Sequence, residues 1–142
     1  MPNNEDQEQT LIMHWDGSTW KIVPSPNINP NAPNLGSNRL YGVTAVSATD
    51  VWAGGTWQDS GHFFERSLVE HWDGFRWSIS PTPTVDPQTC KRYPSGTYDC
   101  TLNFLMSITS LPTGQVWTAG QLFHIIPNQG GFYDLGLILD RP

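Results

Sequence analysis

The chain has 142 residues, with seven Lys and Arg against thirteen Asp and Glu, and it carries seven Trp, twelve Pro and thirteen Gly. That length suffices for one domain with a buried core, while a formal charge of −6 argues against the clustered basic surface that nucleic acid requires. No apolar run approaches the roughly 20 residues that span a bilayer as a helix, and the abundance of Trp, Pro and Gly points to short strands joined by many turns.

Residues 1–9 read as an acidic polar tail, with no basic-then-apolar secretory pattern in view. Residues 10–142 read as a single repeat domain. Its first unit, 10–26, is an apolar strand that meets Asp16-Gly17, a pair suited to a tight turn, and a Trp20-x-Ile22 strand that stops at Pro24-x-Pro26. A polar connection leads to a second unit, 40–57, in which Val43 and Ala45 run through a short turn into Val51-Trp52. The unit 67–83 then repeats the first at an offset of 57, with "HWDGFRW" (His71–Trp77) lying over "HWDGSTW" (His14–Trp20). The unit 104–123 repeats the second at an offset of 65, and Leu111-Pro112-Thr113-Gly114 supplies its type I turn. A tail, 132–140 ("FYDLGLILD"), has the makings of one more strand of the first kind. No stretch shows helical periodicity, so the chain is expected to be all-β.

Two alternating hairpins with a combined period near 60 residues define a repeat architecture. Small residues dominate one hairpin and tryptophans the other, as four-stranded propeller blades require: inner strands crowd a central channel and outer strands fill a widening wedge. The segments "HWDGSTW…VPSPN" and "LYGVTAVSATDVWAGG" resemble the Trp-rich β-propeller repeats of large bacterial extracellular proteins, related in architecture to kelch and sialidase-type propellers. The resemblance covers about residues 10–83 and 104–120, and it implies a fold rather than an activity. Asp16-Gly17-Ser18-Thr19-Trp20 is also similar to the sialidase Asp-box, Ser-x-Asp-x-Gly-x-Thr-Trp. It lacks the leading serine and one residue between Asp and Trp, so no sialidase function follows.

Residues repeated at matched positions are expected to be structural: His14 and His71 before the turn, Trp15 and Trp72 packing between blades, Asp16 and Asp73 shaping the turn, with Trp20, Trp77, Trp52 and Trp117 in the same class. A substrate meets a catalytic group once. Four hairpins amount to about two blades, whereas closed propellers use roughly four to eight. Open blade faces and raw strand edges demand a cover, supplied either by further copies in a head-to-tail ring or by missing blades of a longer chain. The tail strand would compete for the place that a neighbour's first hairpin would fill.

Strand alternation sends the long connections to one rim, where binding sites commonly sit. There "TWQDSGHFFERS" offers Trp57, Asp59, His62, Phe63 and Phe64 beside Glu65 and Arg66, an aromatic and hydrogen-bonding set that suits sugar rings or peptide side chains. The bland alternative is that Phe63 and Phe64 lid the core beneath their own loop. A second set, Lys91, Arg92, Tyr93, Tyr98 and Asp99, lies between Cys90 and Cys100. A disulfide there would close the loop, stabilise by about 3 kcal/mol in the chain-entropy model and favour an oxidising, extracellular or cell-surface setting; free thiols are the alternative, and zinc would lack half its ligands. His124 with Asp134 reads as an ordinary polar pair or none.

No metal cluster, phosphate cradle or cofactor motif is present, and no carboxylate pair stands out at glycosidase spacing. The expected function is a non-enzymatic binding or scaffold module recognising carbohydrate or protein through the long-loop rim. Two alternatives stay open: part of a propeller-type carbohydrate-active enzyme, or a purely structural repeat piece.

Overall fold

A computed structural model describes residues 8–28, 30, 36–58, 65–82, 91–92, 94, 98–125 and 132–141, with 91–92, 98–100, 123–125 and 132–141 as chain course alone. The described residues form strands and turns without a helix: β1 (Ile12–Trp15), β2 (Trp20–Val23), β3 (Asn38–Ser47), β4 (Asp50–Gln58), β5 (Glu65–Trp72), β6 (Trp77–Ser80), β7 (Lys91–Arg92), β8 (Tyr98–Ser110), β9 (Val116–Ile125) and β10 (Phe132–Arg141). All pair antiparallel, in a hairpin β1-β2 and two four-stranded sheets ordered β3-β4-β5-β6 and β10-β9-β8-β7. The chain is thus all-β, with one complete meander and a second sheet whose tail strand β10 is an edge.

Turn chemistry explains the matched hairpins. Trp15 pairs with Trp20 and Trp72 with Trp77, so each loop has four residues rather than the two of a tight Asp-Gly turn. In these two loops Gly17 and Gly74 take a positive φ, 100° and 95°, where an L side chain is strained. The aspartate has another task. The Asp16 carboxylate accepts the backbone N–H groups of Ser18 and Thr19, each at 2.9 Å, and Asp73 accepts those of Phe75 and Arg76 at the same distance. These bonds satisfy amides that the loop would otherwise leave bare. Lys21 and those amides hold the Asp16 carboxyl well below its ordinary range, and the Arg76 and Phe75 amides lower that of Asp73.

The small-residue hairpins repeat down to an irregularity. β3 skips register between Leu40 and Gly42, and β8 does so between Leu105 and Ser107, which preserves the offset of 65 seen in the sequence. An extra residue in one strand bends it and tightens the twist. Opposite each bulge stands a glycine pressed against the backbone: a Cβ on Gly55 would lie 1.9 Å from the Arg39 carbonyl oxygen, and one on Gly120 would lie 1.6 Å from that of Phe104.

The core forms where the second sheet stacks on the first. Trp52 and Val69 of the first sheet cluster with Leu105, Ile108 and Val116 of the second. Ile108 sits over Gly42 and Gly54, whose missing side chains leave room for it. At the short-turn end the Thr44 and Ser110 hydroxyls meet at 2.9 Å, and Ser110 donates to the Ala45 carbonyl. Burial alternates along β8 and β9 as the two-residue strand period demands: Ile108, Val116, Thr118 and Leu122 are buried, while Thr109, Trp117, Ala119 and Gln121 are exposed. Each fully buried leucine, such as Leu68 or Leu105, contributes about 1.5–3 kcal/mol.

The β1-β2 hairpin is anchored at its other end. The Thr10 N–H donates to the Asn27 side-chain oxygen at 2.9 Å, and the Thr10 and Ser25 hydroxyls meet at 2.7 Å. Asn38 bonds both backbone groups of Ile28, and its N–H donates to the Glu8 carbonyl at 2.8 Å. Glu8 also pairs with Arg39, so it is tied to β3 rather than solvated as part of a free tail. Five apolar side chains on one face of this hairpin stand exposed: Leu11, Met13, Trp15, Trp20 and Ile22. Trp15 accordingly leans on Trp20, centroids 5.8 Å apart, while much of its surface meets solvent.

Candidate functional site

The strand directions place the two kinds of connection at opposite ends. The short turns 16–19, 48–49, 73–76 and 111–115 leave one end of the sheets, and the Thr44–Ser110 contact brings those ends together. The connections 24–37, 59–64, 81–90, 93–97 and 126–131 join strands at the other end. We call this second end the rim.

Its described part is built by β3, β4 and β5, whose ends are in register: Asn38 faces Trp57, Trp57 faces Arg66 and Gln58 faces Glu65. The Arg66 guanidinium lies 5.6 Å over the Trp57 ring, a geometry in which the ring quadrupole attracts the cation. Arg39 bridges Glu8 and Glu65, the latter at 2.8 Å. Partial burial opposes the Arg39 charge, but the Glu8 and Glu65 carboxylates outweigh it and raise its pKa. The result is a half-buried aromatic face bordered by a neutralised ion network, with hydrogen-bonding groups at its margin.

Of the residues expected here from sequence, Trp57 is present at this edge. Asp59, His62, Phe63, Phe64, Tyr93 and Cys90 lie outside the described residues. Arg92 and Tyr98 are cross-strand partners in β7 and β8, one step from the Lys91–Asp99 pair, and Cys100 pairs with Ile125; only their chain course is described. His124 and Asp134 occupy neighbouring, not facing, positions, paired with Tyr133 and Phe123. Arg39 and Glu8 escaped the sequence reading because their pairing joins residues 31 apart in the chain.

Two other polar groupings lie away from the rim edge. Asp50 accepts the Trp52 indole N–H at 2.6 Å and lies 2.9 Å from the His71 ring nitrogen, while His71 stacks on Trp52 with centroids 4.0 Å apart. This locks the repeat histidine to the strand beside it. Glu70 is fully buried, and neither carboxylate oxygen has a hydrogen-bond partner. Burial pushes its carboxyl up to about 7. A sequence signal for it existed: the equivalent place in the first copy holds Met13, so an acid sits where the repeat asks for an apolar residue.

Among the described residues no three His, Cys, Asp or Glu side chains gather as a metal site. A cavity of about 290 Å³ opens between β1 and β3–β4, lined by Leu11, Ile12, Met13, Leu40, Tyr41, Gly42, Val43 and Ala53. Its lining is apolar apart from backbone and the Tyr41 hydroxyl. Compared with known proteins, the chain matches no family model, no curated protein and no solved structure.

Proposed function

We propose that the chain is a propeller-type scaffold, each four-stranded meander acting as a blade, which binds carbohydrate or another protein at the rim. The supporting observation is convergence: the long connections depart from one end of the stacked sheets, beside Trp57, Arg66 and the Arg39–Glu65 pair. An aromatic face with adjacent charged and amide groups stacks on a sugar ring or peptide side chain while fixing its orientation. Rigid sheets beneath reduce the ordering cost of such binding.

The test is a glycan array and an affinity pull-down with the intact chain and with Trp57→Ala. The reading expects a ligand whose retention drops at least about tenfold in the variant. Empty results in both formats, or a ligand indifferent to Trp57 and to Arg66→Ala, would remove it. For the enzymatic alternative, Glu65→Gln would abolish turnover of a bound sugar while leaving its binding intact.

A further inference from the structure

Under the repeat offset β1 takes the place of β5, and β2 that of β6. In the first sheet the edge of β5 away from β6 is held by β4. Among the described residues the same edge of β1 has no strand beside it. Meanwhile β10 lies on β9 in the register that β5 keeps with β4: Leu137 faces Gly120 as Leu68 faces Gly55, and Asp140 faces Trp117 as His71 faces Trp52. So β10 occupies a position of the β1 type, but it lacks the His-Trp-Asp-Gly run that β1 and β5 share. Among the described residues it also has no strand on its outer side, where β6 stands beside β5.

We propose that the β1–β2 hairpin of one copy docks edge to edge on β9 of a second copy, in the place held by β10, and so joins copies head to tail. The inference rests on register and burial, and is independent of what the rim binds.

In the docked register His14 falls beside Trp117 as His71 falls beside Trp52, with Gln115 in the position of Asp50. The exposed hairpin face bearing Leu11, Trp20 and Ile22 comes to lie on the second copy's β5–β6. That repeats the relation by which Leu105, Ile108 and Val116 cover Trp52 and Val69 within one chain. The exposed face of β8–β9, where Trp117 stands, turns toward Val43 of the first copy and fills the cavity beside it. Val43 is 66% exposed, whereas Ile108, its equivalent, is buried over Gly42 and Gly54. One exchange of strands thus covers the bare hairpin face, the open edge of β1 and the cavity together. Exchange of elements between copies is a low-cost route to assembly, and here the β9 edge that would receive β1 already forms a ladder with β10 within one chain. Two copies closing reciprocally would contain four sheets: two of the β3-β4-β5-β6 kind and two in which β8 and β9 of one copy continue into β1 and β2 of the other.

Three readings on the full chain test this. Its solution mass between about 1 and 300 µM should rise from 15.9 kDa to twice or three times that value; a monomer throughout overturns the proposal. Hydrogen exchange should slow at 11–15 and quicken at 132–141 as the mass rises, by about tenfold or more. Assembly that leaves 132–141 as protected as before would mean that copies join elsewhere. Finally, Trp20→Glu and Trp117→Glu each disable one partner surface. Each alone should be monomeric, and an equal mixture should give a one-to-one heterodimer. A dimer retained by either variant alone signals a symmetric contact and overturns the head-to-tail arrangement. Both positions are at least partly exposed, and far-UV circular dichroism checks that each variant folds. Should either fail to fold, oxidising a mixture of His14→Cys and Trp117→Cys chains should trap a covalent dimer, and its absence would count against the docked register.

Discussion

Trp20 and Trp77 hold the same position in two copies of one hairpin, yet Trp77 is 9% exposed and Trp20 is 62% exposed. Trp77 sits on the outer strand of a four-stranded sheet and leans on Trp72, centroids 6.0 Å apart, whereas among the described residues Trp20 belongs to a hairpin that no further strand extends. Trp77→Ala should therefore cost about 3 kcal/mol through lost burial and the cavity left behind. Trp20→Ala should cost under about 1 kcal/mol in the monomer. Urea unfolding below the assembly concentration measures both, and equal losses would contradict the burial difference.

Glu70 should make stability depend on pH in an unusual direction. Its folded pKa, about 7, lies above the ordinary 4.5, so the folded state holds a proton that the unfolded state releases. Stability then falls as pH rises from about 4.5 to 7, and the penalty is complete above 7. Glu70→Met, the side chain found at position 13 of the first copy, removes it. The variant should gain on the order of 2 kcal/mol more over wild type at pH 8 than at pH 4. Unfolding curves at the two pH values decide; a gain that does not change with pH would assign it to packing alone.

The glycines opposite the two bulges should resist substitution. A Cβ at Gly55 or Gly120 would overlap a backbone carbonyl oxygen, and backbone in mid-sheet cannot step aside without breaking its ladder. Gly55→Ala should cost more than about 4 kcal/mol. Gly17→Ala has open space around it and pays only for its positive φ, about 1 kcal/mol. Thermal melts of the two variants should rank accordingly.

The Asp73 carboxylate should stabilise its turn more when ionised than when protonated. Its pKa is lowered by the Arg76 and Phe75 amides from 3.8, so the stabilisation is present above about pH 4 and fades as pH falls through the folded value. Asp73→Asn keeps an acceptor oxygen for both amides and should lower the melting temperature less than Asp73→Ala. Carboxyl titration by NMR should show the depressed midpoint together with shifts at the Phe75 and Arg76 amides.

What the sequence determined by itself is local: two-residue alternation, turn chemistry at Asp16-Gly17, Asp73-Gly74 and Pro112, and a repeat at fixed offsets. Such patterns act over a few residues, so they declare an all-β chain and its hairpins without reference to neighbours. Even the bulges left a trace in the matched glycines Gly55 and Gly120. Burial was another matter. Identical tryptophans at positions 20 and 77, an acid at 70 sealed from water, and an arginine at 39 joining Glu8 to Glu65 all depend on which strand lies across from which. Those partners are distant in the chain, and only the stacking of the sheets decides whether a side chain meets protein or solvent.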